Sequence, residues 1–302
     1  MFGILFEQVL KFFLFMLIGC ILSKKKILPK EATNILSQLI VTVFLPALVF
    51  ISFYENFTID KFVSNGNLIF IGFILLGINI LIGFIYGKRI TDNRYYRKVC
   101  IYSTAITNTS YVGIPLISTV FGQESVMQML LFAIPTMIFT NIVGISLLTN
   151  KKEISFRNVI NPLFIAMFMG MVGGILKIPV PKVIIEVLEG CGDCIAPIAM
   201  ILTGSVVAAF SRKQLFGNIV AYKIIGLRML VLPLLVLSCA KILEVKSEIM
   251  LVLLSIQTMP TSLNTVIFAE TCGEDSTLGA GMACMSNILG IITIPIFFHC
   301  FF

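Results

Sequence analysis

Two clusters of polar residues interrupt apolar stretches that are long enough to cross a lipid bilayer. They are TAITNTSYVGIPL, residues Thr104–Leu116, and SIQTMPTSLNTVIFAE, residues Ser255–Glu270. Backbone groups that are freed at this depth find no water, so non-helical backbone is tolerated there only where it lines a cavity or is buried in protein. Two interrupted spans in corresponding halves of a chain indicate a transporter's binding site. We therefore expect a broken helix at each cluster and a site between them.

The first cluster contains a proline and a glycine that should interrupt its helix. Pro115 has no N–H and disfavours helix in the preceding residue, and Gly113 permits irregular backbone. We expect the helix to stop near Ser110 and to restart at Pro115. The candidate substrate-binding residues of this cluster are Asn108, Thr109, Ser110, Tyr111, Gly113 and Pro115.

The second cluster supplies four further candidates, Pro260, Thr261, Ser262 and Asn264. A half-helix that restarts inside the membrane presents unpaired N–H groups and a partial positive charge, which together suit an anion. The side chains of Asn108 and Asn264 can each donate and accept hydrogen bonds. They either hold a carboxylate of the substrate or only bridge the two breaks, and the sequence allows both interpretations.

Five residues elsewhere in the apolar stretches are secondary candidates. Pro46 and Pro197 either shape the cavity or are simple kinks, since proline is common in membrane helices. Gly204 and Ser205 are either candidates for the site or residues of close helix packing. Arg228 lies deep in its stretch, where charge is costly. It either adds to the field that acts on an anionic substrate or bonds to backbone carbonyls.

Other chemistries lack the residues that they need. No Asp or Glu lies in the middle of an apolar stretch, which disfavours a carboxylate proton relay but leaves open a sodium site built from carbonyls and hydroxyls. His299 is the only histidine, so no metal site with two histidines can form. Cys191 and Cys194 are a lone C-x-x-C pair without further ligands. We expect no metal, no cofactor and no enzymatic activity.

Composition places the chain among the all-α polytopic membrane proteins. Of 302 residues, 58% are hydrophobic and 12% are charged, and the mean hydropathy is +1.03. The net charge of +7 comes from basic residues in short loops, so we expect a lipid bilayer and no nucleic acid as partner. At about 20 residues a crossing, the chain has about ten spans, at roughly 4–22, 32–53, 67–87, 98–121, 126–148, 158–177, 183–209, 216–240, 248–270 and 278–300.

The distribution of basic residues predicts the orientation of the chain. With the N-terminus outside, fourteen of the 22 Lys and Arg residues fall in cytoplasmic loops and five in outer loops. Since cytoplasmic loops carry the excess of Lys and Arg, both termini should lie outside. We expect a multi-pass protein of the cytoplasmic membrane, whose first span is not cleaved.

The sequence repeats itself at a distance of about half its length. GCILSKKKILPK, residues Gly19–Lys30, is similar to GGILKIPVPK, residues Gly173–Lys182. We expect an N-terminal unit of residues 1–150 and a C-terminal unit of residues 151–302. Because each unit has five spans, an odd number, the second enters the membrane inverted, and spans four and nine should cross at the midplane.

Five motifs along the chain resemble those of the auxin efflux carrier family, which includes plant PIN carriers and bacterial malate and malonate permeases. They are LPALVF from Leu45, NTSYVGIPL from Asn108, NPLFIAMFMG from Asn161, APIAMILTGS from Ala196 and MPTSLNT from Met259.

The resemblance implies two inverted five-helix repeats, with a scaffold domain of helices one, two, six and seven and their neighbours beside a transport domain of crossing broken helices. It implies an organic-anion substrate and, from the plant members, a homodimer. The family's crossover prolines correspond to Pro115 and Pro260, and its polar site residues to Asn108 and Asn264. The long cytoplasmic insert of the plant members is replaced by about ten residues around Lys151–Arg157.

The resulting hypothesis is a secondary transporter of a small organic anion, such as a dicarboxylate or an auxin-like carboxylate, that works by alternating access. The half-helix N-termini and Asn108, Ser110, Thr261 and Asn264 would hold its carboxylate. Two alternatives stay open: a sodium-coupled symporter of the bile-acid type, and a membrane sensor that binds a ligand without transporting it.

Overall fold

The computed structural model describes residues 2–149 and 161–302. The boundary between the two predicted units, the loop Lys151–Arg157 and the start of predicted span 158–177 lie outside these ranges. Within these ranges the chain folds into helices with short connections between them. One isolated β-bridge pairs two of the connections. The helices are α1 Phe2–Lys24, α2 Glu31–Asn56, α3 Ile59–Ile90, α4 Arg94–Ala105, α5 Thr109–Phe121, α6 Gln123–Thr149, α7 Pro162–Leu176, α8 Lys182–Ala208, α9 Arg212–Phe216, α10 Ile219–Ile242, α11 Ser247–Gln257, α12 Asn264–Cys272 and α13 Thr277–Phe301.

Seven of these helices are long and apolar enough to cross a membrane: α1, α2, α3, α6, α8, α10 and α13. Three more, α5, α7 and α11, are apolar but shorter. Many large apolar side chains on α3 and α7 face outward, for example Phe70, Phe73 and Phe168, as expected where lipid replaces water. The described residues are thus an all-helical, multi-pass membrane protein, as the composition predicted.

Two predicted spans are each divided into two helices. Span 98–121 becomes α4 and α5, separated by residues 106–108, and span 248–270 becomes α11 and α12, separated by residues 258–263. The predicted position of the first interruption was wrong. The chain leaves the helix after Ala105 and resumes it at Thr109, so that Pro115 already lies inside α5.

A π-turn explains why Pro115 does not break its helix. Three of the four π-turns in the described helices, Ile40–Phe44, Thr109–Gly113 and Leu227–Val231, each end two positions before a proline, namely Pro46, Pro115 and Pro233. A proline ring clashes with the carbonyl four residues earlier and cannot donate to it. The wider π-turn accommodates that local defect, and the helix continues.

Helix α8 has its own irregularity near Pro197. Its α-helical pattern is interrupted at Cys194, directly before the segment Ile195–Ala208 that contains the proline. Cys191 and Cys194 are both free thiols beside this point. Pro46 and Pro197 therefore both occupy irregular points of long helices, one in α2 and one in α8.

Close packing of α1 on α8 depends on two glycines. A Cβ atom added to Gly19 of α1 would overlap the backbone carbonyl of Ile201, and one added to Gly204 of α8 would overlap that of Met16. The two backbones can approach this closely only because both positions lack a side chain. Gly204 is therefore explained by helix packing.

Helix α7 packs on α2 in the same manner. A Cβ atom at Gly170 would lie 2.7 Å from the carbonyl oxygen of Phe50, and one at Gly174 would lie 2.7 Å from that of Phe57. Around these two helix pairs, α3 packs against α4 and α6, and α10 packs against α11 and α13. The main apolar core lies among α1, α2, α6, α8, α11 and α13.

We predict that Gly204→Ala lowers the stability of the protein, because the added methyl group must displace the backbone of α1. The expected loss is about 1–3 kcal/mol, measured as a lower midpoint of thermal unfolding in detergent. The matched control is Gly77→Ala in α3, where a Cβ atom meets nothing within 4 Å. This control should unfold at the same temperature or slightly higher, because alanine favours helix by up to about 1 kcal/mol. Equal midpoints for the two variants would contradict the packing argument.

Candidate functional site

The two helix interruptions meet in the structure. Thr107 and Thr261 pair as an isolated antiparallel bridge, and the backbone N–H of Asn108 donates to the carbonyl of Pro260 across 2.8 Å. Both threonines and Asn108 are buried. The interruptions therefore satisfy each other's backbone groups in a place where water cannot.

Helix α13 holds the second interruption on its other side. Ser286 accepts a hydrogen bond from the backbone N–H of Thr261 at 3.1 Å, and the hydroxyls of the two residues lie 3.0 Å apart. Neither side chain is exposed. The predicted site residue Thr261 is thus used to fix the backbone. Ser286 was missed from the sequence, where its only signal is a polar residue within an apolar helix.

The start of α12 is tied to the end of α4. Ser262 accepts a hydrogen bond from the backbone N–H of Asn264 at 3.2 Å, which stabilises the first turn of the helix. The side-chain amide of Asn264 donates to the hydroxyl of Tyr102 at 2.9 Å. Tyr102 is fully buried and was not predicted. The Asn264 amide therefore links the two interrupted spans, which was one of its two predicted roles.

Asn108 differs from Asn264 because its side-chain nitrogen is unpaired. The residue is 4% exposed, and its Nδ2 has no acceptor within the described part of the chain. Its backbone carbonyl accepts from the N–H groups of Val112 and Gly113, both at 3.1 Å. A buried donor without a partner costs about 1–3 kcal/mol. This amide is available to an acceptor that the chain does not supply.

The other candidates of the first cluster lie along the first turns of α5. The hydroxyl of Thr109 lies 2.9 Å from that of Thr107, and Ser110 is half-buried. The hydroxyl of Tyr111 reaches that of Ser37 in α2 at 3.5 Å.

Gly113 and Pro115 lie deeper in the same helix. Gly113 faces the second interruption, since a Cβ atom there would lie 3.4 Å from the Met259 side chain. Pro115 is buried within α5, and its carbonyl accepts from the Thr119 hydroxyl at 2.8 Å. Contrary to its predicted role, Pro115 does not start the half-helix.

Arg228 lies at the second interruption, on α10. It is fully buried, and it donates from Nη2 to the carbonyl of Ile256 at 3.0 Å and from Nη1 to Oε1 of Gln257 at 2.8 Å. Arg228 therefore bonds to a backbone carbonyl at the C-terminal end of α11, one of its two predicted roles. A cation at this end of a helix is favoured by the helix dipole.

Two further donors are unpaired next to this contact. Nε of Arg228 and Nε2 of Gln257 are buried without an acceptor among the residues that the structure describes. Gln257 was missed as a site residue, although it lies within the second polar cluster and directly precedes the interruption. Together with Nδ2 of Asn108, these atoms give the region several free N–H groups and one positive charge.

The cavity at Pro260 is small in this conformation. It measures about 10 Å³ and is lined by Pro260, Val112 and Asn287 on one side and by Phe12 and Met16 of α1 on the other. That volume is about one water molecule.

A larger cavity of about 390 Å³ lies between α2, α8 and α12. Asn34, Ser205 and Glu270 are among its lining residues. The hydroxyl of Ser205 is 3.1 Å from that of Thr33, also in the lining. Ser205 is thus placed at this cavity, whereas Gly204 beside it packs against α1.

The sequence is similar to known proteins over nearly its whole length. A family model described as "Membrane transport protein" matches residues 4–157 and 148–298. A protein of Methanothermobacter thermautotrophicus, described as an uncharacterized transporter, is 22% identical over an alignment of 299 positions that covers 96% of each chain.

We predict that Ser286→Ala destabilises the meeting point of the two interruptions, because it leaves the buried N–H of Thr261 without an acceptor. The expected loss is about 1–3 kcal/mol, seen as a lower midpoint of thermal unfolding. Ser64→Ala is the matched control, since Ser64 is exposed and bonds only to its near neighbours, donating to the carbonyl of Lys61 and accepting from the side-chain amide of Asn65. A Ser286→Ala midpoint equal to that of the control would show that Ser286 does not hold the second interruption.

Proposed function

We propose a function for this chain from the premise that it belongs to the membrane transport protein family, the family of the auxin efflux carriers. Membership and the transporter relative make it a membrane transport protein. The transported solute is, in our proposal, a small organic anion such as a dicarboxylate or an auxin-like carboxylate. The protein moves it across the cytoplasmic membrane by alternating access.

The observation that carries this proposal is the set of buried, unpaired donors at the two interruptions. Nδ2 of Asn108, Nε2 of Gln257 and Nε of Arg228 are N–H groups, and Arg228 adds a positive charge. Carboxylate oxygens are acceptors only and carry negative charge. An anionic solute would therefore satisfy both the hydrogen-bonding and the electrostatic demand of this region.

The packing of the helices supports two inverted repeats of five spans. If α7 is the repeat of α1 and α8 is the repeat of α2, then the contact between α1 and α8 and the contact between α7 and α2 are symmetry equivalents of each other. Gly19 and Gly173, the first residues of the repeated motif, are as far apart in the sequence as Thr107 and Thr261. A twofold axis in the membrane plane would place such a threonine pair face to face, as the β-bridge does.

In this arrangement the chain crosses the membrane ten times, and the interrupted spans α4–α5 and α11–α12 cross at the midplane. Both termini lie outside. The cavity at Ser205 and Glu270 then faces the cytoplasm, because it borders the basic loop between α1 and α2. Elevator-like or rocking movement of the interrupted spans against α1 and α8 would open the small cavity at Pro260 to the solute.

We predict that Asn108→Ala and Asn264→Ala each abolish flux of the transported anion, while the protein still inserts and folds. Asn108→Ala removes an unpaired donor, and Asn264→Ala removes the link to Tyr102. The measurement is counterflow uptake into proteoliposomes across a panel of labelled dicarboxylates, monocarboxylates and indole acids. Asn65→Ala is the control, because this asparagine lies near the start of α3 and bonds to the carbonyl of Lys61. Transport by both variants at the control rate would remove the two residues from the site.

A further inference from the structure

The C-terminal end of α11 is the part of the site that would attract a cation. The last carbonyls of a helix have no intrahelical partner and carry a partial negative charge. In transporters with broken helices, such ends and the unwound carbonyls beside them coordinate the coupling sodium ion. Here the end is buried within the protein, with Ile256 and Gln257 as its last residues.

A side chain of the protein already occupies this position. The guanidinium of Arg228 donates hydrogen bonds to the backbone oxygen of Ile256 at 3.0 Å and to the side-chain amide oxygen of Gln257 at 2.8 Å. Carbonyl and amide oxygens are also the ligands that a hard cation would use. A sodium ion could not bind these two oxygens while the guanidinium holds them.

The charge of Arg228 is also permanent and uncompensated. Within the described residues the guanidinium forms no ion pair with a carboxylate, and its Nε has no acceptor. Arginine stays protonated in proteins, so this charge persists in every state of the transporter. Burying it without a counter-ion is unfavourable, and a bound anion would relieve that cost.

We propose that Arg228 is a built-in cation that takes the place of a coupling sodium ion, so that the carrier moves its anion without sodium. This inference rests on the proposed function. It assigns to Arg228 a positioning role, since the guanidinium acts by holding the end of α11 and by setting the charge at the interruption. The presence of this guanidinium distinguishes the chain from a sodium-coupled symporter with similarly broken helices.

The first test is the ion dependence of the wild-type protein. Counterflow of those labelled dicarboxylates, monocarboxylates or indole acids that the protein takes up should proceed at equal rates in sodium, potassium and N-methylglucamine buffers. The thermal midpoint should be the same in sodium and potassium. A requirement for sodium would overturn the inference and leave the proposed function intact. Absence of anion flux in every buffer would overturn the proposed function and, with it, the inference.

The second test removes the charge. Arg228→Gln should reduce flux by about 30-fold or more, because it removes a buried, hydrogen-bonded cation, and either guanidinium or sodium should restore part of the flux. Its midpoint should be higher in sodium than in potassium. Arg228→Lys, which keeps the charge, should retain more flux than Arg228→Gln. Lys223→Gln is the matched control, because it removes one positive charge from an exposed position of the same helix.

Full transport by Arg228→Gln would show that the charge is not needed. A loss of flux that neither cation restores, with the same loss in Arg228→Lys, would show that Arg228 is only a structural cap of α11. If Arg228→Gln does not fold, the ion dependence of the wild-type protein decides the question.

Discussion

The structure depends on the hydrogen bond between the backbone N–H of Asn108 and the carbonyl of Pro260. A chain that leaves the helix inside a bilayer releases polar groups that lipid cannot satisfy. Pro260 has no N–H, so at that point the second interruption offers an acceptor only, and Asn108 supplies the donor. Ser286 of α13 then accepts from the N–H of Thr261, the next residue. The two interruptions therefore depend on each other for a backbone hydrogen bond, and the second depends also on α13.

The two interruptions differ in how they are fixed. The first spans only residues 106–108, and its side chains bond mainly to near neighbours, as Thr107 does to Thr109. The second spans residues 258–263 and is held at Thr261 by Ser286 of α13. Arg228 of α10 and Tyr102 of α4 hold the helix ends that flank it. The longer break and its flanking helix ends thus have more of the polar contacts to other helices, while the side-chain amide of Asn108 in the shorter break is unpaired. The fixed second interruption therefore lies next to the unpaired side-chain amide of Asn108.

Sequence patterns predicted the apolar helices and the two interruptions, because both follow from local composition. Length and hydropathy gave the seven long spans, although α3, Ile59–Ile90, is longer than its predicted span. The exact position of the first break could not be predicted in this way. The rule applied to Pro115 ignores the π-turn before it, and the break lies instead where Thr107 finds its partner on another helix. Tyr102, Gln257 and Ser286 were missed for the same reason, since each matters only through a residue far away in the sequence.

The interface that would have to move is apolar on the side of α1 and α8. Phe12, Met16 and Met200 face Pro260 and Ile294 across the small cavity at the second interruption. Contacts of this kind are non-directional, and methionine side chains adapt to changed surroundings. The hydrogen bonds that hold the interruptions together connect α4, α5, α10, α11, α12 and α13 and do not involve α1. In the proposed mechanism, the interrupted helices would keep these polar contacts with one another while they shift along α1 and open the site to the solute.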